Sequence, residues 1–145
     1  NKFGGYFQVA HDANDVVVRN RPSMDAAVPS GNGTMAQVLA LLAQLTDNPA
    51  YADRAQAVVA AFMDRFNENF ANMSALLTGF DLAVDPILAT LPRDRRDLLA
   101  VVRGVSLPNL IIRWHDEAVA TLCRNSLCSA PVQNVGDFAA LVERI

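Results

Sequence analysis

Between Gly33 and Val84 the apolar residues recur every three or four positions, the spacing that predicts amphipathic helices. A first helix is expected from about Gly33 to Leu45, with Met35, Val38, Leu39, Leu42 and Leu45 on one stripe. "TDNPAYADRA" reads as a stop and restart: Asp47 or Asn48 caps, and Pro49 suits a first turn that has no use for its missing N–H. A second helix is expected over roughly Pro49 to Asn67, carrying Tyr51, Ala55, Val58, Val59, Phe62 and Phe66. A third follows from about Asn72 to Val84, with Met73, Leu76, Leu77, Phe80 and Val84. The short links predict antiparallel neighbours. Alanines on a second face (Ala40, Ala43, Ala57, Ala60, Ala61) permit close packing there too.

On either side of this block the pattern changes. Ahead of it, "GGYFQVA" and "DVVVRNR" are short extended runs around the polar turn "HDAND", which suits a hairpin or a long ordered loop. After Asp85-Pro86, "ILATL" reads as a strand and "RDRRDLLAVVRG" as a short helix ended by Gly104. "NLIIRWH" (Asn109 to His115) and "AVATLCR" (Ala118 to Arg124) read as two strands joined by a tight turn at "DE". A last helix, Val135 to Ile145, turns Phe138, Leu141 and Val142 inward behind an Asn134 cap. The fold class is therefore α+β: residues 1–84 form a hairpin or loop and three helices, and residues 85–145 a small three-stranded sheet with helices packed on it. The two parts are expected to make one compact unit.

Composition adds that 52% of the 145 residues are hydrophobic, enough for a sizeable core and an excess that favours a partner surface or an oligomer. The net charge of −3 argues against a nucleic-acid partner. No apolar run approaches the ~20 residues of a membrane span, so the reading is a soluble, cytoplasmic protein with no membrane partner. The opening "NKFGGYF" reads as a piece of a longer chain.

Candidate chemistry is sparse. Two cysteines and two histidines do not complete a zinc site, so neither metal nor cofactor is expected. Cys123 and Cys128 have four residues between them, against two in redox-active helix N-terminal pairs. They read as half-buried thiols in a loop or a local disulfide, with a redox or metal role as the alternative. His11, flanked by Asp12 and Asp15, is either a solvated turn residue or, with Asp12, a proton carrier. His115 reads as a strand-end residue. In "DAAVPSGNG", Ser30 or Asn32 offers an oxygen to the free N–H groups of the first helix. Those groups alternatively face a pocket for an anionic or hydroxylated ligand. The lysine and spacing of a P-loop are absent.

Four segments, "GGYF…DANDVVVRNRPSMDAAVPSGN", "LLAQLTDNPAYADRAQAVVAAF", "LPNLII" and "CRNSLCSAPV", together resemble the C-terminal part of the thioredoxin-domain-containing family related to spermatogenesis-associated protein 20. The resemblance covers nearly the whole chain, in order. "PSGN" and "CRNSLCSAPV" are its specific parts. It implies the end of an α/α toroid similar to six-hairpin glycosidases and N-acylglucosamine 2-epimerases, without the family's thioredoxin-like domain. Asp12, Asp15, Arg19, Asp25, Pro29, Ser30, Gly31 and Asn32 match the family pattern. Since loops between helix pairs line the pocket of the related toroids, Asp25, Ser30 and Asn32 become candidate ligand-binding residues for a sugar-like molecule. Gly33 stands where a serine is expected and Gln8 where a small acidic residue is, and the segment Leu91 to Asp97 is shortened. Two functions follow from the resemblance. One is a part of a carbohydrate-active, epimerase- or glycosidase-like enzyme, inactive alone. The other is a non-catalytic structural or interaction module supporting a redox thioredoxin-like domain. The implied partners are the remaining domains of the parent and a second copy of the chain.

Overall fold

The computed structural model describes residues 4–145, apart from the side chain of Asn67. The chain is α+β, and it divides into two compact units at Val84 and Asp85.

The first unit is a helical layer under an ordered loop. Helix α1 (Gly31–Thr46) packs against both α2 (Pro49–Ala60) and α4 (Ser74–Val84). Ser30 caps α1, its Oγ accepting from Gly33 N at 3.2 Å. The helix ends at Asp47, whose left-handed backbone (φ 53°) turns the chain so that Asn48 caps α2 through Ala50 N. The single second helix expected from the apolar stripe is interrupted at Ala61 and Phe62, then resumes as α3 (Met63–Asn69) and a 3-10 turn (Phe70–Asn72). The cause is local. Phe62 leaves helical angles (φ −128°, ψ 4°), its N–H bonds back only to Val59 O, and its ring is 2% exposed. Tertiary burial of one aromatic outweighs the continuity of the stripe.

Small residues set the α1–α4 spacing. A Cβ on Gly33 would lie 2.7 Å from Ala75 Cβ and 2.8 Å from Leu76 N, and one on Gly79 2.6 Å from Ala36 Cβ. A serine at position 33 therefore has no room, which accounts for the glycine there. Residues 4–30 contain no strand. The two extended runs form a long ordered loop, tied by Gln8 N donating to Asn20 O at 2.9 Å.

The second unit is a four-stranded sheet in the order β2-β1-β3-β4. The strands are β1 (Ile87–Pro92), β2 (Leu110–His115), β3 (Thr121–Arg124) and β4 (Leu127–Cys128). β1 is central and buried throughout, as its near-unbroken apolar run requires. It pairs in parallel with β2 after the crossover helix α5 (Arg96–Arg103), and antiparallel with β3. The two strands expected to pair through "DE" instead lie on opposite sides of β1, and the second begins at Thr121. Ala118 to Ala120 belong to the connection, where Ala120 bridges to Val132. The fourth strand, absent from the three-stranded expectation, is the two-residue arm of a hairpin closed at Asn125 and Ser126. Both have positive φ, the geometry of a two-residue type I′ turn. Helices α5 and α6 (Val135–Val142) cover one face, where Ile87, Ala89, Leu91 and Leu122 meet Leu98, Val102 and Phe138. Asn134 caps α6 through Asp137 N.

Candidate functional site

Asp25, Ser30 and Asn32 are brought together at the start of α1, and each is tied to the frame. The backbone N–H of Ser30 donates to Asp25 Oδ1 at 2.8 Å, while Ser74 Oγ and Ala75 N donate to Asp25 Oδ2 at 2.8 Å each. One carboxylate thus joins the approach to α1 with the first turn of α4, satisfying an orphan N–H there. Partial burial opposes its ionisation, but the hydrogen bonds from Ala75, Ser30 and Ser74 outweigh that and hold the carboxyl below its ordinary value.

Asn32 works on the loop. It is 1% exposed; its Oδ1 accepts from Tyr6 N at 2.6 Å, and its Nδ2 donates to Tyr6 O at 2.9 Å and Pro22 O at 2.8 Å. An amide side chain that both accepts and donates to one residue's backbone imitates a strand partner. It is what holds this strandless segment against α1. Only Ser30 of the two candidate caps performs the capping.

Beside this clasp an open groove of 490 Å³ lies at the start of α1, lined by Tyr6, Phe7, Met24, Val28 and Met35 together with Ser30, Gly31 and Asn32. The Arg19 guanidinium stacks 4.2 Å from the Phe7 ring centre, which fixes that ring as part of the wall. The groove is mainly apolar, because the polar atoms of the candidate residues are turned into the frame. His11 and Asp12 are exposed in a turn closed by Ala13 N and Ala10 O, and neither lines the groove. His115 ends β2 with its Nε2–H donating to Val119 O at 2.7 Å. Among the described residues no cluster of His, Cys, Asp or Glu could hold a metal ion, and no helix is long and apolar enough to cross a membrane.

Cys123 and Cys128 face each other across β3 and β4 and are joined as a disulfide, their Cα atoms 3.9 Å apart. Ser129 N donates to Leu122 O one step further on, so the cysteines occupy the non-hydrogen-bonded position, where facing residues come closest.

Sequence reasoning missed two anchors. Ser74 and Ala75 complete the Asp25 clasp from 49 and 50 residues away, a distance no local motif spans. Asp85, visible only as the start of a new segment, receives the Arg124 guanidinium and Asn125 Nδ2, at 2.9 and 2.8 Å to Oδ1. The hydrogen bond from Arg124 chiefly holds its carboxyl below the ordinary range.

A second apolar surface lies on the helical layer. Met63, Phe66, Phe70, Leu77 and Phe80 line a groove of 410 Å³, which shares Met63 and Phe80 with a smaller one that reaches Val84. Phe70 is 64% exposed. Compared with known proteins, the chain matches no family model and no curated protein.

Proposed function

We propose that the chain is a non-catalytic structural and interaction module of a longer, thioredoxin-related protein of α/α-toroid type. In this reading Asp25, Ser30 and Asn32 build the frame, and the apolar surface around Phe70 receives the next helices of the parent. The observation that carries it is the use of the Asp25, Ser30 and Asn32 side chains inside the unit, while the grooves beside them and around Phe70 are mainly apolar. Helices that continue the α2–α4 layer have the right chemistry to cover Met63, Phe66, Phe70 and Phe80. In the isolated chain a second copy takes their place. The test is the isolated chain with glycosides and acylated amino sugars: no turnover is expected, and turnover that depends on Asp25 overturns the reading.

A second reading, one edge of a sugar-binding pocket, is favoured by one observation: Tyr6 and Phe7 line the same groove as Ser30 and Asn32. Titration with simple glycosides separates the two. Saturable binding lost in Tyr6→Ala supports the pocket edge, and no binding supports the module.

A further inference from the structure

The hairpin that carries the disulfide is held by bonds that do not involve sulfur. Arg124 and Asn125 grip the Asp85 carboxylate, Arg124 also donates to Ile145 O at 2.9 Å, and Asn125 N donates to Pro86 O at 3.3 Å. Beyond the cysteines, Ser129 N closes on Leu122 O at 2.9 Å. The turn and the first pair past the disulfide are thus fixed whether or not the sulfurs are joined. The two cysteines are also unequal. Cys123 lies on the inner strand β3, flanked by Leu88 of β1, and is 8% exposed, whereas Cys128 is exposed on the edge strand.

We propose that Cys123–Cys128 is a thiol–disulfide exchange site for a dithiol reductant, entered at Cys128. A thiolate of the reductant attacks Cys128 Sγ; the S–S bond breaks and its electron pair leaves on Cys123 Sγ, which takes a proton from water. The reductant's second thiolate then attacks its own sulfur in the mixed disulfide, closing the reductant's disulfide and releasing Cys128 as a thiolate that is protonated in turn. Two electrons pass from the dithiol to the cystine. Because the hairpin is held independently, the thiols stay face to face and the same bond re-forms on oxidation. Accessibility sets the direction of attack, since exchange rates follow access to the sulfur.

The experiment uses the whole chain at neutral pH without denaturant. Dithiothreitol is expected to convert it fully to the two-thiol form with an unchanged far-UV circular dichroism spectrum, and glutathione disulfide to restore the single internal bond. A bond that yields only after denaturant is added, or reduction that unfolds the sheet, overturns the proposal. Direction is read with single variants and a nitrophenyl disulfide: the Cys128 thiol left in Cys123→Ser should react at least about tenfold faster than the Cys123 thiol left in Cys128→Ser. Equal or inverted rates overturn it. If a variant fails to fold, the wild-type chain is acid-quenched during reduction by glutathione and cut after Arg124, which separates the cysteines. The adduct belongs on the Cys128 peptide, and an adduct on the Cys123 peptide refutes the assignment.

Discussion

Replacing Asn32 by alanine removes the three hydrogen bonds that hold the backbone of Tyr6 and Pro22 against α1. At roughly 1 kcal/mol net for each bond the loss is about 3 kcal/mol. Leaving the Tyr6 N–H without its partner adds to the cost, and the better helix propensity of alanine returns about 0.7 kcal/mol. Urea unfolding followed by circular dichroism should therefore show a fall of about 3 kcal/mol, a large share of the stability of an ordinary domain. Asn32→Asp sharpens the test, because it keeps the shape but sets a second oxygen against the Tyr6 and Pro22 carbonyls, and should cost at least as much. An Asn32→Ala chain within about 0.5 kcal/mol of wild type, the range of ordinary surface changes, refutes the clasp.

Asp25→Ala removes a charge-assisted link between α1 and α4 and should cost about 2 kcal/mol in the same assay, with Asp25→Asn costing less because one acceptor oxygen survives. Acid should weaken the fold through carboxyls that folding depresses. Asp97, held down to about 2 chiefly by the hydrogen bond from the Arg95 guanidinium, adds stability that is complete above the ordinary aspartate value of 3.8 and lost as pH falls towards 2. Asp25 acts in the same direction, so urea midpoints should be flat near neutrality and decline below about pH 4, and Asp97→Asn should remove part of that decline. Gly33→Ser forces a Cβ against Ala75 and Leu76 and should destabilise by about 1–3 kcal/mol, read as a lower melting temperature. The double serine variant of Cys123 and Cys128 should remain folded but lose about 2 kcal/mol, the loop-closure entropy of a five-residue separation.

The helices were legible because their spacing and caps are local: α1, the Asn48–Pro49 restart and the Asn134 cap all stand within a few residues of their signals. The interruption at Phe62 was hidden, since its apolar stripe runs on unbroken and only tertiary burial explains the break. Strand existence was readable for β1 and β2, but partner choice was not. "DE" joins two strands by a short step, yet the central place of β1 puts them on opposite edges of it. At the start of α1 the residue types were visible and their direction was not. Ser30 and Asn32 look alike as acceptors in sequence, but the backbone of Tyr6, twenty-six residues away, claims Asn32 for the loop.

Sedimentation equilibrium of the isolated chain, beside Phe70→Glu, tests the proposed module most directly. The account predicts self-association of the wild type at high micromolar concentration, and a monomeric Phe70→Glu chain of unchanged melting temperature, because Phe70 is exposed and outside the core. A wild-type chain that stays strictly monomeric, or a variant that associates equally well, contradicts the claim that this face is built for a partner.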